Sequence, residues 1–79
     1  MLEADSIGER ALAALRLENP NDTRTALQEL IEEAPSRLDL RHSLATTLVR
    51  MGEAKAGKIV AEDAIRMAKE AQTEAAFTL

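Results

Sequence analysis

Seventy-nine residues make one small domain, a size at which a single core is thin and a partner or a second copy often completes it. Apolar residues are 46% of the chain, mostly Ala and Leu with Phe77 as the sole aromatic, so the core has to come from closely approaching helices, and the lack of Cys excludes a disulfide framework, a thiolate metal site or a Cys nucleophile. A formal charge of −4, with nine acids and four bases in residues 1–40 but five acids and six bases in 41–79, without a basic stripe or an aromatic platform, argues against nucleic acid as a partner.

The opening Met1-Leu2-Glu3-Ala4-Asp5 has neither a basic nor an apolar leader region, and no run approaches membrane-spanning length. The expectation is therefore a cytoplasmic protein with no membrane contact. Ser6 is placed to cap a first helix, with Glu9 three residues on as its capping-box partner, and Ile7, Ala11, Ala14, Leu15 and Leu17 follow the three-or-four spacing of a core face. That helix is expected from about Ser6 to Glu18, or from Glu3 in its longest form. Asn19-Pro20-Asn21-Asp22 is the clearest turn in the chain, and Asp22 or Thr23 is expected to cap the next helix. The second helix carries Ala26, Leu27, Leu30, Ile31 and Ala34 on one side and Gln28, Glu29, Glu32 and Glu33 on the other, and Pro35-Ser36 stops it.

Ser36 or Asp39 opens a third helix with Leu38, Leu40, Leu44, Ala45, Leu48, Val49 and Met51, and Gly52 supplies the positive φ that turns the chain. The fourth helix is expected from near Glu53 to Ala75 or Ala76. Its broad apolar face holds Ala54, Gly57, Val60, Ala61, Ala64, Ile65, Met67, Ala68, Ala71 and Ala75, a stripe of small residues that lets another helix come near. Ile59 falls on the polar side, where an isolated apolar residue is either unremarkable or a contact with another subunit.

Shifting the chain against itself by about 34 residues pairs Ala11 with Ala45, Leu15 with Val49, Arg16 with Arg50, Leu17 with Met51 and Ile31 with Ile65, always in helical phase. With Leu44, Ala45, Leu48, Gly52, Glu53, Gly57 and Ala64 at the small, large and turn positions and Pro35 closing the preceding unit, the sequence resembles the tetratricopeptide-repeat family over essentially its whole length. Arg41, Ala54 and Ala61 depart from that family's usual apolar and aromatic choices, and Thr23 stands where it has a small Ala.

The resemblance implies an all-α fold of two stacked antiparallel helical hairpins, four helices in all, as one domain: repeat 1 about 4–37, repeat 2 about 38–71 and a C-terminal tail 72–79. It also implies a groove for an extended peptide or a helix, lined by Asp5, Glu9, Leu12 and Arg16 and by Asp39, His42, Ser43, Thr46, Val49 and Arg50. Two repeats are fewer than such stacks need. Homo-oligomerisation through Ala61, Ala64, Ala68 and Ala71 is therefore expected, unless the chain is a piece of a longer array. The competing architecture is an ordinary four-helix bundle that dimerises through its alanine-rich last helix. Phe77 and Leu79 either fold back as a cap or fray.

No enzymatic constellation emerges. His42 is the only histidine, which makes a zinc site or a Ser-His-acid set improbable, since Ser6, Ser36 and Ser43 have ready uses as caps or surface. Glu32-Glu33 and Glu62-Asp63 are consecutive and point apart on a helix. Gly52-Glu53-Ala54-Lys55-Ala56-Gly57-Lys58 has the spacing of a phosphate-binding loop, but Ile59 follows where Ser or Thr must hold magnesium, and no strand precedes it. No cofactor and no metal is expected, and the function expected is a non-enzymatic scaffold for a protein or peptide partner.

Overall fold

In a computed structural model that describes residues 5–78, and side chains as far as Glu74, the chain forms α1 (Ser6–Leu15), α2 (Pro20–Glu33), α3 (Leu38–Arg50) and α4 (Ala54–Thr78). The described residues contain no strand. Each connection is three or four residues long, which folds every helix back antiparallel onto the one before it, and the substantial packing runs α1 to α2, α2 to α3 and α3 to α4.

The helix starts differ from the sequence expectation by a residue or a few. Asp5, not Ser6, caps α1, its Oδ1 accepting from the Gly8 N–H at 3.0 Å. A carboxylate does this more strongly than a hydroxyl because it also faces the positive end of the helix. Asn19 caps α2 through the Asn21 N–H at 2.9 Å, with Pro20 as the first helical residue. Proline needs no hydrogen-bond partner for its nitrogen at that position, so the turn residue and the helix start are the same residue, and neither Asp22 nor Thr23 is needed as a cap. Arg37 precedes α3 without a side-chain cap. The first helix stops at Leu15, three residues short of Glu18. Residues 72–78 continue α4 instead of forming a separate tail, while Leu79, the Phe77 side chain and the start at Glu3 lie outside the described residues.

Gly52 behaves as expected. Its φ is +83°, the Glu53 N–H reaches the Leu48 carbonyl at 2.8 Å, and the Gly52 N–H reaches Val49 at 3.0 Å. These are the two reverse bonds that close a helix end around a left-handed residue.

The core is Ala11 and Ala14 of α1, Leu27 and Leu30 of α2, and Leu40, Leu44 and Leu48 of α3, with Val60 packed against it from α4. Leu27 and Leu40 are the two largest side chains fully removed from solvent. The 34-residue correspondence survives in space: α2 and α4 begin at Pro20 and Ala54, and Ala11 with Ala45, Ala14 with Leu48 and Leu30 with Ala64 are buried pair by pair.

The two hairpins close at the same register by different means. In the first, buried Thr23 donates its hydroxyl to the Ala14 carbonyl at 2.8 Å. In the second, Gly57 stands in that place, and a Cβ there would lie 2.9 Å from the Ala45 carbonyl oxygen. Thr23→Val keeps the shape and removes the hydrogen bond, so it is expected to cost about 1 kcal/mol, measured by urea denaturation. An unchanged midpoint would show that the bond is replaceable.

The molecule is thin. Its principal extents are 45 × 41 × 14 Å and its radius of gyration is 14.0 Å, against about 12 Å for a compact chain of this length. Fourteen ångströms is two helix layers and no more, so the hairpins stand side by side instead of wrapping one central core as a bundle would. α4, with 25 residues, spans about 37 Å; α3, with 13, spans about 20 Å. Beyond Ala68 every described α4 side chain is exposed.

Candidate functional site

One face of the slab is centred on α3. At 100° per residue, Asp39, His42, Ser43, Thr46, Val49 and Arg50 fall within about a third of that helix's circumference. All but half-buried Ser43 are exposed. The opposite arc, Leu40, Leu44 and Leu48, is buried. Two grooves flank the exposed arc, one on each side of α3.

The first lies between α1 and α3. Asp5, Glu9, Leu12 and Leu15 line it from α1, Asp39 and Ser43 from α3. Leu12 and Leu15 remain 57% and 39% exposed, so its floor is apolar and open. Arg37 pins the groove's end, donating to Asp39 at 2.7 and 3.1 Å and to Asp5 at 2.9 Å. A planar guanidinium holding one carboxylate through two bonds fixes its geometry better than a lysine would, and here it fixes the start of α1 against the start of α3.

These contacts move titrations. The Gly8 N–H, then Arg37, hold Asp5 below the ordinary carboxylate value, and Arg37 does the same for Asp39. Arg10, bonded to Glu33 at 2.6 and 3.0 Å, lowers Glu33. Carboxylates lowered in the folded state contribute stability that is complete above the ordinary value near 4 and is lost as the pH falls through the lowered values. In denaturation series from about pH 6 to about pH 2, the wild type is therefore expected to lose stability on acidification more steeply than Arg37→Gln. Parallel curves would mean that the triad adds nothing.

The second groove lies between α3 and α4. His42, Thr46, Val49 and Arg50 line it from α3, Lys58 and Ala61 from α4, and Ala45 and Gly57 form its floor. It encloses about 420 Å³, and Val49 stays 55% exposed. The rim carries cations and no acid.

Among the described residues those cations have no ion-pair partner. Of the seven arginines, Arg10, Arg24, Arg37 and Arg66 form ion pairs and Arg41 donates to the Pro35 carbonyl. Arg16 and Arg50, which are repeat equivalents, have no such partner among the described residues, and neither does Lys58.

The expected groove residues thus divide into two sets. Asp5, Glu9, Leu12, Asp39 and Ser43 come together on one side of α3, and His42, Thr46, Val49 and Arg50 on the other. Arg16 caps the end of α1 and lines neither groove. Leu15, assigned to the core face, lies in the groove instead; Leu17 and Ile65 are also 47% and 50% exposed. Of the alanines expected to form a self-association face, Ala64 is buried within the chain at 1% exposure and cannot serve. Ala61 and Ala68 are half-buried, Ala71 is exposed, and Ala61 belongs to the base-lined groove.

Ile59 sits on the other face of the slab, beside the Arg24–Glu53 pair. Among the described residues no group of three or more His, Asp or Glu is placed to hold a metal ion, and no helix is long and apolar enough to cross a membrane. No family model, no curated protein and no solved structure matches the chain.

Proposed function

We propose that the chain is a non-enzymatic protein-interaction module, a scaffold resembling a pair of tetratricopeptide repeats, that takes a helix or extended segment of protein on the face centred on α3. The observation that carries this reading is the exposure of Leu12, Leu15 and Val49 on one face of a thin slab, beside Glu9, Arg50 and Lys58, which have no ion-pair partner among the described residues. Apolar side chains grouped with a polar rim are the ordinary anatomy of a protein-binding surface. Scattered exposed leucines would carry no such weight.

The test is a random-peptide library selected on the immobilised wild type and counter-selected on Val49→Glu. Val49 sits on the exposed arc, so the variant is expected to keep its helicity and melting temperature. Peptides that bind the wild type and are lost by Val49→Glu support the module. Binders that fail to discriminate, or no binders, overturn it and favour a purely structural helical unit. In that case Ala61→Leu or Ala68→Leu would abolish assembly and folding together, while Thr46→Lys and Arg50→Glu would be silent.

A further inference from the structure

The two grooves have opposite electrical character. Asp5, Glu9 and Asp39 rim the α1/α3 groove, and the single Arg37 guanidinium is shared by Asp5 and Asp39, which leaves a net charge of two negatives over the apolar floor of Leu12 and Leu15. The α3/α4 groove presents Arg50 and Lys58, two positive charges beside Val49, neither of them paired among the described residues. Both grooves open on the same face.

A face with equal and opposite halves and an apolar centre complements itself. We propose that the partner of this face is a second copy of the chain, docked face to face so that the acid-lined groove of each protomer covers the base-lined groove of the other. The two-fold axis lies in the plane of contact, perpendicular to the line joining the grooves, because only that operation carries each patch onto its complement. This rests on the reading of the chain as an interaction module and names the partner.

The surface left uncovered is of the right size. The chain exposes 5916 Å², where a compact chain of its mass exposes roughly 4700 Å². The surplus is roughly 1200 Å² per chain, part of it on the end of α4 beyond Ala68, and a specific protein interface takes about 600–1000 Å² from each partner. A foreign acidic segment would satisfy the Arg50 and Lys58 side alone and leave Glu9 facing nothing.

The experiment is a charge exchange followed by sedimentation equilibrium up to about 1 mM protein, a range that reaches weak dimers. The wild type is expected to dimerise, and at least about tenfold more weakly when salt rises from about 50 to about 500 mM. Arg50→Glu/Lys58→Glu makes both grooves acidic, and Glu9→Lys/Ser43→Lys makes both basic. Each variant alone is expected to be a folded monomer by circular dichroism, and their equimolar mixture a dimer, because every facing pair is complementary again.

A mixture that stays monomeric, a wild type that is monomeric throughout, or a mass that climbs past two copies overturns the proposal. A monomeric wild type that still yields Val49-dependent peptides in the library selection would leave the module standing with a foreign partner. Failure of both would remove the module itself.

Discussion

Leu27→Ala is expected to remove about 2–5 kcal/mol of stability, the range for truncating a fully buried leucine. Leu27 is 0% exposed, and its surroundings come from the neighbouring helices of the same core, where Ala11, Ala14, Leu40 and Leu44 meet. A chain of this length has on the order of 4–12 kcal/mol in total, so the one change takes a large share. Denaturant midpoints followed by helicity measure it. A loss under about 1 kcal/mol would mean that the site collapses around the smaller side chain.

The repeat equivalent makes a control within the same molecule. Ala61, at the corresponding place on α4, is half-buried and borders an open groove. Ala61→Leu is therefore expected to leave the monomer folded, where an equal enlargement at Ala64, 1% exposed, would not.

The second large effect belongs to Gly57. A leucine there has to displace the α3 backbone, since even its Cβ would stand 2.9 Å from the Ala45 carbonyl oxygen and 3.0 Å from the Val49 Cγ2. Overpacking of this kind costs about 1–3 kcal/mol, and the obstacle is main chain, which cannot rotate away. Gly57→Ala separates the two influences at the position. Helix propensity favours alanine by about 1 kcal/mol and the close contact opposes it, so the alanine variant is expected to lie near the wild type and the leucine variant well below. A leucine variant as stable as the wild type would show that α3 and α4 do not need their present separation. Gly57 is also the floor of the base-lined groove, so the leucine variant should weaken anything that docks there.

The helices were legible because their signals are local. Pro20, Pro35 and Gly52 are punctuation that acts through backbone geometry alone, and the apolar spacing of Leu27, Leu30, Leu40, Leu44 and Leu48 names a buried stripe wherever the helix is placed. The caps were less legible. Asp5 and Ser6 are both acceptable caps, and besides its carboxylate at the helix start Asp5 has an interaction with Arg37 across 32 residues, which no local pattern contains.

The site was half legible. The family resemblance places Val49 in the groove, although Val49 also stands among the apolar positions of α3, while periodicity assigns Leu15, its partner in the 34-residue correspondence, to the core. The structure exposes both, so the two repeat equivalents share an environment that apolar spacing does not separate from the core. Periodicity tells which residues share a helix face, but a helix at the edge of a stack has two apolar flanks and only one of them is covered. The opposite charges of the two grooves are not visible in sequence, because they depend on which helices stand side by side and on Arg37 meeting Asp5 and Asp39.

The packing order of the helices, each chiefly against its neighbours in sequence, sets how the molecule forms and how it comes apart. Contacts that are local along the chain need little loop closure before they stabilise anything, so assembly can begin at any hairpin and spread. Unfolding can likewise start at one end and stop. Short α1 leans on α2, with the Arg10–Glu33 pair between them, and is pinned to α3 at its start by the Asp5–Arg37 pair, so its release would open the acid-lined groove and leave the α3·α4 packing in place. The two halves of the exposed α3 face therefore belong to segments that can be ordered separately, and acid, which discharges Asp5 and Glu33, the carboxylates whose ion pairs hold α1, acts on the α1 half.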